Sequence, residues 1–260
     1  LKALTAISPI DGCYRHQVQH LDEYFSEFAL IKYRVLIEVE YVRILADKKF
    51  FSLSAAQKKA LQDLCDNFSV DDALKIKDTE KITNHDVKAV EYFLKEKMAA
   101  MDAEAIQEWV HFGLTSQDIN NTAIPLSWKQ AIEIEYLPAV LNFNRQLEIL
   151  ATQWKEVPML AHTHGQPASP TRLGKEIMVF VERIGNQVEQ VIQVPVTAKF
   201  GGATGNFNAH AVAFPEKDWV AFGNEFVEGV LGLQRQQFTT QIEHYDSLAA
   251  HFDCMKRINN

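Results

Sequence analysis

Cysteine is scarce: Cys13, Cys65 and Cys254 are the only three in 260 residues, far apart and odd in number. That count excludes a disulfide framework, and no pair has the spacing of a zinc site. Reduced thiols in the cytosol are the simplest reading. No apolar run reaches the ~18 residues needed to span a bilayer, so no membrane partner is expected. The first residues, Leu1-Lys2-Ala3-Leu4-Thr5, lack a basic region followed by an apolar stretch, which predicts no secretory leader. Positive charge is in deficit, with 26 Lys and Arg against 34 Asp and Glu, a net of -8. Such a chain is a poor candidate for nucleic-acid binding by counterion release, though a local basic pocket can hold a small anion. Repeats, low-complexity tracts and convincing two-residue alternation are also absent.

What is present is an ordinary globular balance, 47% apolar and 23% charged, arranged with helical period. Residues 21–49 place Leu21, Phe25, Phe28, Val35, Val39, Val42 and Leu45 at three- and four-residue steps. Shorter helices are expected over 55–68, after a capping box at Ser69-Val70-Asp71-Asp72, after a similar Thr83-Asn84-His85-Asp86 start, and over 104–112. Residues 117–155 read as one long helix with possible kinks at Pro125 and Pro138. Residues 156–168 read as polar loop. Ser169-Pro170 reads as N-cap and first helical residue of a helix to about Gln193, with Pro195 marking its end. After the loop 199–210, helices are expected from Pro215 to Leu231 and from Ile242 onward. The last keeps its period almost to Asn260, which suggests a chain cut inside an element. The fold class is all-α, with an N-terminal helical domain over 1–112 and an incomplete long-helix bundle over 113–260.

Polar clusters interrupt the apolar pattern at loops and helix starts, where function concentrates. Ser8-Pro9-Ile10-Asp11-Gly12-Cys13-Tyr14 reads locally as a turn. Thr83-Asn84-His85-Asp86 combines free N–H groups with the positive end of a helix dipole and suits an anion. A capping box accounts for Thr83 and Asp86 but not for His85, which is either a solvated histidine or a site residue. Thr115-Ser116-Gln117-Asp118 caps a helix or sets hydroxyl and amide donors around a carboxylate. His162-Thr163-His164-Gly165-Gln166-Pro167 offers either a metal pair or a general acid or base, since imidazole titrates near neutral pH. No carboxylate or cysteine has spacing to complete a metal set. Residues 201–208 are glycine-rich without forming a Walker loop. Thr239-Thr240-Gln241-Ile242-Glu243 adds neutral donors. Local chemistry therefore points to carboxylate binding and proton movement.

In this order the clusters resemble the fumarase/aspartase superfamily, and within it the branch that eliminates fumarate from succinylated purine nucleotides. The resemblance rests on Ser8 to Gly12, Thr83 to Lys97 (TNHDVKAVEYFLKEK), Thr115 to Asn121, Thr163 to Pro167, Gly205 to His210 (GNFNAH) and Thr239 to Glu243. It implies release of fumarate from adenylosuccinate, giving AMP, and from the succinylated aminoimidazole carboxamide nucleotide. It also implies that His164 protonates the leaving nitrogen and that His85, with Asn84 and Asp86, lines the substrate site. Thr115, Ser116 and Thr163 would bind substrate, Gln241 would contact it, and Tyr14 with Arg15 would lie near its phosphate. No metal and no cofactor are implied. The expected assembly is a cytoplasmic homotetramer with sites shared between subunits.

Departures accompany the resemblance. Cys13 and His162 stand where that family has arginine, and Tyr245 where it has histidine beside its aspartate. The family's Ser-Ser-x-Met-Pro-x-Lys-x-Asn-Pro loop, whose serine is the expected base, is not found within these residues. The chain alone is therefore expected to be inactive, and a non-catalytic subunit or an argininosuccinate-cleaving relative are the rival readings. The TNHDVKAVEY and GNFNAH runs argue against the latter.

Overall fold

The computed structural model describes residues 3–8 and 11–260. The expected turn at Pro9-Ile10 and the leader reading at Leu1-Lys2 fall outside these. The chain forms two compact units: residues 1–129 with 196–244, and residues 130–195 with 245–260. The expected segments 1–112 and 113–260 followed the lengthening of helices; the units instead follow where the chain returns to itself.

The first unit begins with α1 (Asp11–Val18) and a single turn, α2 (Asp22–Phe25). Its centre is α3 (Glu27–Asp47), started by Ser26, whose hydroxyl accepts from the Ala29 N–H at 3.1 Å. This helix is apolar on nearly all sides, as a buried helix should be. Ile31, Val35, Val39 and Val42 pack into one cluster with Leu61, Ile76, Val90 and Leu94. Tyr33, Ile37, Tyr41 and Ile44 pack into another with Phe200, Phe207, Trp219 and Phe226. Each fully buried aliphatic or aromatic residue stabilises the fold by roughly 1.5–3 kcal/mol. Against α3 lie α4 (Ala55–Asp66), α5 (Val70–Thr83) and α6 (Asp86–Ala99). Both Ser54-Gln57 and Ser69-Asp72 form capping boxes, the second as the sequence predicts. The helix expected over 104–112 is a 3-10 segment, Glu104–Trp109.

The long helix expected over 117–155 is broken twice, at its prolines. α7 (Ser116–Ala131) has a non-helical residue at Asn121, four before Pro125. Pro125 lacks an N–H and its ring displaces the carbonyl of Asn121. That carbonyl instead accepts from the Lys199 N–H at 3.3 Å. At Pro138 the chain takes a π turn over Ile132–Tyr136 before α8 (Leu137–Gln153), with the Leu137 N–H reaching back to the Ile132 carbonyl. The unit resumes with β3 (Thr197–Ala198), the glycine-rich loop, α10 (Asn208–Ala213), α11 (Trp219–Asn224), a π turn over Glu225–Val230 and β4 (Gln234–Arg235). The helix expected from Pro215 starts instead at Asp218, whose carboxylate caps the Ala221 N–H.

In the second unit, the expected loop 156–168 and the helix start at Ser169-Pro170 are both overturned. Residues 158–172 form an antiparallel hairpin of β1 (Pro158–Thr163) and β2 (Gln166–Arg172), pairing Pro158 with Arg172 and Thr163 with Gln166. Pro158 and Pro167 read as loop residues and Pro170 as a helix start, but both strands of a two-stranded sheet are edges, where proline's missing N–H is tolerated. The helix that follows, α9 (Leu173–Gln193), has no side-chain cap. Its first amides donate to carbonyls of the turn between α8 and β1: Leu173 to Val157 at 2.9 Å and Gly174 to Trp154 at 3.1 Å. Gly174 is required there, because a Cβ would lie 2.1 Å from the Ala151 carbonyl oxygen. The final helix, α12 (Asp246–Asn259), starts four residues later than expected from Ile242.

Candidate functional site

Four of the polar clusters meet in the first unit. α5 ends at Thr83, and Asn84 takes the left-handed conformation (φ 51°) that asparagine tolerates better than most residues. This turns the chain so that His85, not Thr83, caps α6, correcting the sequence expectation. The His85 Nδ1 accepts the Lys88 N–H at 3.1 Å. Thr83 Oγ1 binds the His85 backbone on both sides, accepting its N–H and donating to its carbonyl. The opposite ring nitrogen, Nε2, lies 3.2 Å from Ser116 Oγ. With Nδ1 committed as acceptor, the neutral ring carries its proton on Nε2 and donates it to Ser116. The side chain is about half exposed, 48%.

Ser116 opens α7, and the turn before it is held from below. Asp118 is fully buried and acts as a structural hub rather than a ligand. Its carboxylate accepts from the Thr115 N–H (2.8 Å), Lys199 Nζ (2.7 Å) and the Gly201 and Gly202 N–H groups (2.8 and 3.1 Å). Lys199 is equally buried, and burial pushes its ammonium below the ordinary lysine value despite the carboxylate. Behind Gly113, which has φ 69°, sits the imidazole of His210, where any Cβ would lie 2.7 Å from the ring. Tyr41 donates its hydroxyl to the Phe112 carbonyl (2.7 Å), so the His210 Nε2–H donates to Tyr41 at 3.0 Å. Burial lowers His210 to about 4, so it is neutral at physiological pH.

The remaining clusters are tied to the same helix. Asn121 Oδ1 accepts the Glu243 N–H at 2.9 Å, and Thr197 Oγ1 donates to the Glu243 carboxylate at 2.8 Å, which fixes the segment carrying the exposed Gln241. Gly205 (φ 79°) packs against Thr239 so closely that a Cβ would lie 2.6 Å from its hydroxyl.

Other expected residues are placed differently. Tyr14 is exposed on α1. Arg15 is already engaged: it donates to the Thr5 carbonyl at 2.8 Å and pairs with Asp11 and Asp22. Thr163 and His164 belong to the second unit. The β1–β2 hairpin turns on His164-Gly165, with φ 52° and 74°, the backbone signature of a two-residue type I′ turn. His164 is thus an exposed side chain at a tight tip, in a conformation costing roughly 1–3 kcal/mol for a residue other than glycine. His162 lies on β1, paired with Pro167. Among the described residues no group of three histidine, cysteine or carboxylate side chains is arranged to hold a metal.

Sequence reasoning missed Lys199, Arg34 and the Glu38–His111 pair. Arg34 and Glu38 are the buried charges of α3, four residues apart, whereas Lys32, Glu40 and Arg43 are only partly covered. That spacing within an apolar run was the available signal.

Residues 18–260 match a protein-family model described as Lyase. The chain belongs to this lyase family. Over its whole length it is 54% identical to adenylosuccinate lyase of Dictyostelium discoideum, and 44% identical to the enzymes of that name from Vibrio cholerae and Escherichia coli. It spans 58% of the length of each of these relatives. Among solved structures it resembles a fumarate lyase from Mesorhizobium sp. BNC1 (TM-score 0.73, 19% identity, 92% of this chain and 53% of that one). It also resembles β-carboxy-cis,cis-muconate cycloisomerase from Acinetobacter calcoaceticus sp. ADP1 (TM-score 0.70, 22% identity, 92% and 54%). These likenesses concern the fold, an all-α architecture of the fumarase/aspartase type that also carries the β1–β2 hairpin and the short β3–β4 pair.

Proposed function

We propose that this lyase-family chain supplies much of the site that eliminates fumarate from adenylosuccinate, giving AMP, and from the succinylated aminoimidazole carboxamide nucleotide. What carries the reading is the His85–Ser116 contact between two helix starts, in a chain 54% identical to a protein named adenylosuccinate lyase. In the elimination a base, the serine of the loop not found within these residues, takes a proton from the carbon beside a succinyl carboxylate, the carbon–nitrogen bond breaks and the nitrogen takes a proton. His164 supplies that proton. Thr115 and Ser116 hold a succinyl carboxylate at the N-terminus of α7, where helix dipole and hydroxyl both favour an anion. Neutral donors fixed in place stabilise the charge that develops on that carboxylate. His85, with Asn84 and Asp86 beside it, positions the leaving group, and Thr163 and Gln241 contact the substrate. Tyr14 and Arg15 lie toward its phosphate, although Arg15 must first loosen its ties to Asp11 and Asp22.

The chemistry calls for no cofactor. The working protein is a homotetramer of the cytoplasm that shares sites between copies; exposed Leu141, Phe143, Phe180 and Ile192 on α8 and α9 support self-association. The test joins this chain to the remaining segment of the Dictyostelium discoideum relative and follows adenylosuccinate loss by absorbance. Turnover of adenylosuccinate but not argininosuccinate is expected. Silence from a folded tetrameric chimera would overturn the proposal.

A further inference from the structure

His85 has a carboxylate at its side, within ion-pair distance but beyond hydrogen-bond distance. Asp86 Oδ1 lies 3.7 Å from His85 Nδ1, the nitrogen that accepts the Lys88 N–H. A free aspartate at that distance would draw a proton onto Nδ1 and pull the ring out of its cap. Asp86 is instead held away: Oδ1 accepts the Val87 N–H at 2.8 Å, and Oδ2 accepts Arg34 Nη2 at 2.6 Å. The same guanidinium gives its Nε–H to Asn120 Oδ1 at 2.8 Å. Asn120 is on α7, four residues after Ser116, so Arg34 of α3 touches both helix starts that His85 and Ser116 join. Arg34 is 9% exposed and its two recognised partners lie in different helices, which a lysine could not satisfy with one point charge.

We propose that Arg34 is a positioning residue: by holding Asp86 and Asn120 it keeps Asp86 off His85 Nδ1 and keeps the His85 Nε2–H directed at Ser116. The charged groups around the ring are Asp86 and Lys88 of α6 and Arg34 of α3; on α7, Asp118 is turned to Gly201, Gly202 and Lys199. Burial alone would raise the Asp86 carboxyl, but the Arg34 charge, the Val87 amide and the neighbouring His85 outweigh it and hold Asp86 ionised at lower pH than usual. Its charge is therefore permanent at neutral pH, and only its direction is under control. For the proposed lyase the consequence is a His85 that donates from Nε2; that consequence rests on the functional reading, whereas the tautomer does not.

The test is imidazole nitrogen NMR of the 260-residue protein, with the His85 signals assigned by their loss in His85→Gln. The unsubstituted protein should show the Nε2–H tautomer. Nδ1–H in that spectrum is enough to overturn the proposal without any variant. In Arg34→Met, His85 should shift its proton toward Nδ1 and its titration midpoint should rise by about one pH unit, because the Asp86 charge 3.7 Å away is no longer offset by the guanidinium. Adding Asp86→Asn to Arg34→Met should return the midpoint to its original value, which loss of packing alone would not do. Arg34→Lys, the milder change if Arg34→Met unfolds, should move the midpoint the same way by less. An unchanged tautomer and midpoint in a folded Arg34 variant sinks the idea. These spectra do not depend on turnover, so a chimera inactive on adenylosuccinate leaves them standing.

Discussion

His164 and His162 sit two residues apart in different surroundings. His164 occupies the tip of the hairpin in a strained left-handed conformation, and His162 sits on β1 beside a shift in its register. In the chimera, His164→Ala should lower turnover by roughly 10²–10⁴-fold, the usual worth of a positioned general acid, with little change in the circular dichroism spectrum. His162→Ala should cost far less; equal losses at both would point to a paired-histidine site. The buried Lys199 makes a different prediction. Lys199→Met leaves the Asp118 charge buried without its counterion and should destabilise the fold by ~3–5 kcal/mol in urea unfolding. Lys199→Met with Asp118→Asn should recover part of that loss, because no uncompensated charge remains. Additive losses would mean that the pair is not coupled.

At the scale of elements, the turn before α7 is joined to the buried centre of α3 by a charged contact. Glu38 of α3 holds the His111 N–H (3.1 Å) and its Nδ1 (2.6 Å), while His111 itself has φ 60°. Burial would lower the imidazole, but the hydrogen bond and charge of Glu38, aided by Glu91, raise it above the ordinary value. The folded state therefore binds this proton more tightly than the unfolded chain. The resulting stabilisation is complete below the unfolded value of about 6.5 and is lost as pH rises through the raised folded value. Thermal midpoints measured upward from about pH 6.5 should fall more steeply for the natural protein than for His111→Asn, since asparagine keeps the left-handed backbone without the titration. Parallel curves would remove His111 from the account. The hairpin makes a separate test: Gly165→Ala forces a Cβ onto φ 74° and should weaken protection of the hairpin amides against hydrogen exchange by roughly 1–2 kcal/mol.

Over the whole molecule, stability is unevenly placed. Both large apolar clusters belong to the first unit, knitted by α3 and by the aromatic group around Tyr41, Phe222 and Phe226. The second unit buries few large side chains and leaves Ile134, Leu141, Phe143 and Phe180 exposed. Amides of α8, α9 and α12 should therefore exchange faster than those of α3 and α6 in the isolated protein. Self-association that covers the apolar side chains should slow α8 and α9 selectively. Uniform exchange across both units would show that the core does not set their relative stability.

The sequence by itself determined the helical class, because apolar residues recur at helical steps through α3, α5 and α6, and short-range capping chemistry is written locally at Ser69-Asp72. It also determined which loops concentrate polar side chains, since clustered hydroxyls, amides and imidazoles interrupt that period. Tertiary structure alone decided the hairpin, where prolines that break interior strands are harmless on edges, and the identity of the α6 cap, where the turn at Asn84 brings His85 rather than Thr83 to the free amides. It alone decided what Asp118, Lys199 and Arg34 do. Their partners lie dozens of residues away along the chain, and a buried charge acquires its meaning from the group that neutralises it, which no local pattern records.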